Sequence, residues 1–447
     1  MNHRPTPITR RAFGLALVAS IILVTGGAPA PTPAKAIAPA TALDTYQQTV
    51  RSAYGLRADL DTIRTLRGSA ADVGTPDWGF PMSQDEATRL DINGRNAFVS
   101  SVSRDLLPYV SSLANFGGAW IDQKRDGRLV ISLVSPDAAE IRAISALQPS
   151  HSRGVEIVSA TLTRSQLVDA ATGLSSDWAL RYPGVRLLGI SVDESTGSLR
   201  ADVEAAPWTS KTAVPSGDSY HGVPVVITST TAGADATCTG ADNCYNPFEA
   251  GTRIYASSSL SSTSGKCTMG FQVVKGTSDI EFLTAGHCAK WSGNQWYLRG
   301  YGLMGAEDGT AYAANGYDVM KVQMPDSQKS TLIFGVSGPQ VMTQSRNPLL
   351  GESVCFYGSF TLATKCGTVT AVNFTWTSEG CNCTVKGSRS NLIPIEGDSG
   401  APLYSRTYVT GSSNYWLNTP LGVVDHQNGG FAKVIDAQTK LGVQIYH

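Results

Sequence analysis

The sequence predicts two folded bodies in one chain: a small α+β domain over residues 37–205, and an all-β body of two β-barrels over residues 249–447. Three observations predict this. All eight cysteines (Cys238, Cys244, Cys267, Cys288, Cys355, Cys366, Cys381 and Cys383) lie in the second half. An even set confined to one half marks a disulfide-stapled body in an oxidising compartment. From Gly265 onward, short strand-like runs alternate with Gly-rich turns, the spacing of a barrel pair. The cysteine-free first half instead alternates helical and strand periodicities.

The chain has 447 residues, enough for two or three domains. Its formal net charge is −1, with no basic stripe to hold nucleic acid. None of the six histidines stands at a zinc-ligand spacing with a cysteine, so no metal and no cofactor are expected.

Residues 1–36 read as an export signal. Arg10-Arg11 precede the apolar run Phe13 to Val24, too short to span a membrane comfortably, and small residues follow at Ala28-Pro29-Ala30 and Ala34-Lys35-Ala36. Thr9-Arg10-Arg11-Ala12-Phe13 fits a twin-arginine signal; an ordinary Sec signal is the alternative. Either route implies a secreted, extracellular protein without a stable membrane association.

Leu43 to Arg67 has helical spacing and ends at Gly68. Phe116 to Asp122 and Arg128 to Val134 predict a hairpin turning at Asp126-Gly127. A helix is expected from Pro136 to Leu147, a strand over Val155 to Val158, and a helix from Arg164 to Gly173. Leu187 to Val192 and Ser198 to Val203 predict a second hairpin near Thr196-Gly197. Residues 206–248, rich in Pro, Gly, Ser and Thr, read as a linker and processing region.

The chemistry concentrates in three motifs. Glu396-Gly397-Asp398-Ser399-Gly400 is a tight loop whose glycines let backbone N–H groups approach a ligand. A serine hydroxyl needs a base, and the base needs an orienting acid. Thr284-Ala285-Gly286-His287-Cys288 supplies a histidine. Gly316-Tyr317-Asp318 opens a strand-like run and supplies an acid; that following strand favours Asp318 over Asp308 and Asp326. The order is His, Asp, Ser.

T-A-G-H-C followed by G-D-S-G in this order resembles the secreted chymotrypsin-fold serine proteases, in pattern the streptogrisin and alpha-lytic protease group. The resemblance covers residues 249–447 firmly. The segment Gly118-Ala119-Trp120-Ile121-Asp122 extends it to the propeptide of that group. It implies a chymotrypsin-like double β-barrel preceded by an α+β prodomain, made as a pro-enzyme. It implies Ser399 as nucleophile, His287 as base, Asp318 as acid, and an oxyanion hole from the N–H groups of Gly397 and Ser399. It also implies disulfides Cys267–Cys288 and Cys355–Cys366, and leaves three pairings open for Cys238, Cys244, Cys381 and Cys383. Expected partners are protein or peptide substrates and the chain's own propeptide, acting as folding aid and inhibitor on a monomeric enzyme.

Two departures stand out. Relatives carry an Arg where this chain has Phe356, so the cation expected to hold Asp398 is unassigned. Relatives read Ser-Gly-Gly where this chain has Asp425-His426-Gln427. Together with Ile393, which occupies the place of the acid in trypsin-like pockets, these residues are expected to line a reshaped, non-tryptic substrate pocket. Asp425 is expected near Asp318, where two carboxylates raise one pKa. The rebuilt segment also supports an alternative: a weak or inactive protease-fold protein with a binding role. Arg253-Ile254 offers a cut of the trypsinogen kind.

Overall fold

A computed structural model describes residues 40–148, 153–185, 187–204, 218–230, 248–257, 260, 266–276, 279–291, 294–299, 301–312, 316–334, 336, 340–378, 383–410, 415–427 and 429–446. The export signal expected at 1–36 lies outside the described residues, as do Cys238, Cys244 and Cys381.

The chain enters through α1 (Ala42–Ala53), where Thr41 and Asp44 cap each other reciprocally. The single helix expected from Leu43 to Arg67 is two. Gly55 turns out of the helix at φ 70°, and Asp59 caps a new start for α2 (Leu60–Leu66). Four helices with weak periodicity follow: α3 (Thr75–Trp78), α4 (Gln84–Leu90), α5 (Ile92–Asp105) and α6 (Leu107–Ser111). β1 (Phe116–Asp122) and β2 (Arg128–Val134) form the expected hairpin. α7 (Ala138–Ala146) crosses over, and β3 (Val155–Ala160) joins β2 in parallel. α8 (Arg164–Arg181) runs past its expected end at Gly173. A Cβ on Gly173 would come within 2.7 Å of the Tyr220 hydroxyl, so the missing side chain lets that ring pack on the helix.

β4 (Leu187–Asp193) and β5 (Ser198–Glu204) form the second expected hairpin. The stretch read as a linker contains two strands, β6 (Asp218–Tyr220) and β7 (Val223–Thr230), and β7 pairs in parallel with β5. Val223 and Val225 are buried beside Leu199, Ala201 and Val203. Burial of that alternating apolar face outweighs the polar composition of the stretch.

The second half is all β. Its first sheet joins β8 (Arg253–Tyr255), β9 (Lys266–Thr268), β10 (Gln272–Lys275), β11 (Asp279–Thr284), β12 (Gln295–Leu298), β13 (Gly302–Thr310), β14 (Met320–Gln323) and the C-terminal Gln444–Ile445 strand. β15 (Gln340–Met342) leads into β16 (Ser353–Tyr357), β17 (Thr364–Ser378), β18 (Cys383–Ser390), β19 (Pro402–Val409), β20 (Tyr415–Val424) and β21 (Gly430–Lys433). The last six close on themselves through pairing of β16 with β17. The expected barrel pair is therefore one closed barrel and one curled, open sheet. α9 (Val434–Leu441) connects the closed barrel to the C-terminal strand. Arg253 and Ile254 are buried in β8, which removes them as an accessible cleavage point.

The first half grips the closed barrel. β4 pairs antiparallel with β17, with Ser191 opposite Phe374 and Ile190 opposite Thr375. The Tyr46 hydroxyl donates to Cys366 O at 2.7 Å, and the Tyr54 hydroxyl to Ser353 Oγ at 2.7 Å. Tyr46, Tyr54, Trp78 and Phe80 share one apolar cluster with Phe356, Val369 and Tyr404 of the barrel. Among the described residues, no helix is long and apolar enough to cross a membrane.

Candidate active site

The site forms where the two β units meet. β11 pairs with β14, Thr284 opposite Met320, so the residues just beyond each strand end face each other. His287 lies in the 3-10 turn Gly286–Trp291, tied back to β9 by the Cys267–Cys288 disulfide. Asp318 precedes β14 and takes His287 with both oxygens. The His287 N–H donates to Oδ1 at 2.7 Å, and Nδ1 lies 2.7 Å from Oδ2. Asp308 is engaged elsewhere, with Lys275 and Lys321.

Ser399 rides on a turn fixed from both units. Asp398 N–H donates to Ile395 O, Ala401 N–H to Asp398 O, and Thr268 N–H of β9 to Ser399 O at 2.8 Å. Gly397 and Gly400 have φ of 92° and 95°. A Cβ on Gly400 would lie 2.0 Å from Thr284 Oγ1 and 2.1 Å from Thr268 O, so only glycine permits this approach of the serine turn to the histidine strand. Among the described residues, neither the Gly397 nor the Ser399 N–H donates to a backbone carbonyl.

Asp398 is held by donors rather than by the cation expected from the family pattern. Oδ1 accepts the N–H groups of Phe360 and Thr361, both at 2.9 Å. Oδ2 accepts the Ile395 N–H at 3.1 Å and the Thr361 hydroxyl. Burial still raises its pKa, against those bonds. Cys355–Cys366 is a disulfide between paired residues of β16 and β17. Cys383 is disulfide-bonded as well.

The departing segment, residues 425–427, sits at the centre of the site. The hydrogen-bond partner of Ser399 Oγ is His426 Nδ1, at 2.7 Å. The rings of His287 and His426 are 5.5 Å apart, edge to face. Asp425, expected as a pocket wall, points inward and is buried. It accepts the Trp376 indole N–H at 2.6 Å and the Gln427 N–H at 3.0 Å. Ile393 is 44% exposed.

The charges interlock. Burial alone would lower the pKa of His287, but the Asp318 carboxylate overrides it and raises the ring to about 9. Burial would raise Asp318; the charge and hydrogen bonds of His287 keep it below the ordinary carboxylate range. Asp425 is pushed up to about 7, by burial first and by the charge of Asp318 second. His426 falls to about 4, from burial and then from the charge of His287. At neutral pH His426 is thus a neutral ring facing Ser399.

Of the residues expected from the sequence, the structure joins His287 to Asp318, sets Asp425 near Asp318, and pairs Ser399 with His426 rather than with His287. Sequence reasoning missed Trp376, the donors around Asp398, and the contact of His426 with the serine. A tryptophan on a barrel strand carries no local signal of a polar role.

No family model matches the chain. Among curated proteins it is similar to glutamyl endopeptidase 2 of Streptomyces griseus, 28% identical over 183 residues, or 40% of this chain and 93% of that protein. Streptogrisin-D of Streptomyces griseus is 31% identical over 188 residues, and the match spans 45% of its length, about half. Serine protease 2 of Streptomyces fradiae is 26% identical over 163 residues, 36% of this chain and 90% of that protein. Among solved structures, a glutamic acid specific serine protease said to use a novel histidine triad in substrate binding is 26% identical. It covers 44% of this chain and 100% of its own, with a TM-score of 0.35. The Nocardiopsis protease NAPase is 22% identical over 44% of this chain and 98% of its own, with a TM-score of 0.33. Over its second half the chain is thus similar to serine proteases, among them a glutamyl endopeptidase and a streptogrisin.

Proposed function

We propose that the chain is a secreted serine endopeptidase made as a pro-enzyme. Ser399 attacks the scissile carbonyl; His287 takes its proton and returns it to the leaving amine; Asp318 holds the imidazole in the required tautomer. The N–H groups of Gly397 and Ser399 stabilise the oxyanion, each worth on the order of 3 kcal/mol. The observation that carries this reading is the double hydrogen bond of Asp318 to His287, at 2.7 Å and 2.7 Å, beside the glycine-flanked Ser399. In the resting arrangement the serine hydroxyl is parked on His426. Substrate binding turns it to His287 Nε2.

Residues 37–205 act as the propeptide, and the pairing of β4 with β17 supports a templating role. A barrel rich in non-local contacts folds slowly, and a preformed strand on one edge lowers that barrier. The pocket, with Ile393, His426 and Gln427 on its walls and Asp425 behind them, favours small or apolar side chains over Lys and Arg. The name of the glutamyl endopeptidase relative gives that protein an acidic preference. Here the neutral His426 provides little charge for an acidic side chain.

The test is digestion of an unfolded protein substrate by the secreted, processed protein, with the cleavage sites read by mass spectrometry. Cuts after small or apolar residues, absent with Ser399→Ala, are expected. Cuts mainly after Lys or Arg overturn the pocket assignment. The bond between Ser399 and His426 favours a second reading, a protease fold that binds peptides without cleaving them. Stoichiometric peptide binding without any cleavage would select it.

A further inference from the structure

We propose that His287, His426 and Asp425 form a binding site for a divalent transition-metal cation of the zinc type, placed directly on the nucleophile. One ligand atom from each of the three lies within 4.8 Å of the other two. A tetrahedral zinc with bonds of about 2.1 Å holds its ligand atoms roughly 3.4 Å apart. His426 Nδ1 and Asp425 Oδ1 already stand at 3.6 Å. Asp318 occupies Nδ1 of His287, so Nε2 is the atom that ring offers.

The surroundings resemble those of a built metal site. A zinc-bound histidine characteristically donates its other N–H to a carboxylate, which fixes its tautomer; Asp318 does this for His287. Asp425 is fixed by the Trp376 indole and the Gln427 N–H. Two imidazoles and one carboxylate select zinc-like ions over magnesium or calcium, which take oxygen ligands. The His426 side chain is 22% exposed, which opens the site to solvent. The sequence predicts no such site because His287 is far from Asp425 and His426 in the chain; only the fold joins them.

A cation held by His287 removes the lone pair that must accept the serine proton, so hydrolysis stops without covalent change. That consequence rests on the endopeptidase reading. The binding itself does not.

The test uses the full chain carrying Ser399→Ala, so that binding is read without turnover. Zinc is titrated calorimetrically in excess magnesium, and cobalt(II) is followed by its visible absorption. One zinc per chain is expected, removable by a chelator, with a tetrahedral-type cobalt spectrum. His426→Ala, added to that background, should weaken binding by more than about 100-fold, and Asp425→Asn by at least about 10-fold. His426→Gln, closer in volume, guards against a folding defect and should weaken binding as much as His426→Ala. No zinc binding, or binding unchanged in both His426 variants, overturns the proposal. Zinc binding by the Ser399→Ala chain, together with an unsubstituted, processed and metal-free protein whose Ser399 fails to react with a fluorophosphonate, would leave the metal site standing and remove the peptidase reading.

Discussion

The indole of Trp376 donates to Asp425 at 2.6 Å, and Trp376 stands on β17, the barrel strand that pairs with β4 of the first half. Asp425 faces Asp318, which holds His287. Asp318 is thus connected, through one carboxyl and one indole, to a strand ladder that begins in the proposed propeptide. Trp376→Phe removes the donor and leaves a buried oxygen of Asp425 unsatisfied, a cost of about 1–3 kcal/mol. The expected outcome is a lower thermal midpoint and roughly a tenfold loss of kcat/KM. Unchanged kinetics in a folded variant would show that Asp425 needs no such support.

The two histidines have opposite expected effects. His287→Ala removes the base and should reduce kcat by at least about 10³-fold, the scale of triad losses. His426→Ala releases Ser399 from a hydrogen bond worth about 1 kcal/mol net, so its reaction with a fluorophosphonate should accelerate several-fold. Loss of that reaction in His426→Ala, with retention in His287→Ala, would make His426 the base instead.

The motifs of the candidate site were legible because each is a short contiguous run: a histidine after Thr-Ala-Gly, an aspartate opening a strand, a serine between glycines. Their partners were not. Asp398 was expected to need a cation, yet the donors of Phe360, Thr361 and Ile395 are mostly backbone N–H groups, which every residue carries and no sequence pattern displays. The strand Val223–Thr230 was misread as linker on composition, although Val223, Val225 and Ile227 alternate at strand spacing. Helix α1 was extended too far because the break at Gly55 depends on a single residue.

The strand pairing across the two halves gives a folding prediction. Ile190 lies in the middle of β4, opposite Thr375. Ile190→Pro removes a ladder donor and adds a clash, which sheets tolerate only at edges and bulges. If the first half templates the barrel, this change, far from Ser399 in sequence, should abolish the yield of secreted active protein, while Ile190→Val retains it. Normal yield from the proline variant would contradict the templating role.

Stability should depend on pH through Glu281. This carboxyl is buried on β11, 2.9 Å from Lys321 Nζ, and burial followed by the neighbouring Asp308 pushes it up to about 6. A carboxyl raised in the folded state binds its proton more tightly there than in the unfolded chain. Its contribution is fully present below about pH 4.5 and is lost as the pH rises through about 6, a difference of at most about 2 kcal/mol. Thermal midpoints of the Ser399→Ala chain at pH 4.5 and pH 8 read this. Adding Glu281→Gln should shrink the loss between the two; an identical loss in both chains would assign the pH dependence elsewhere.

Activation of Ser399 is the central claim, and a fluorophosphonate tests it directly. The secreted, processed protein is treated with the reagent, digested and mapped by mass spectrometry beside Ser399→Ala. One adduct on Ser399, absent from the alanine variant, is the expected result. An unmodified Ser399 in protein freed of its first half would contradict an activated serine and leave the fold with a binding role.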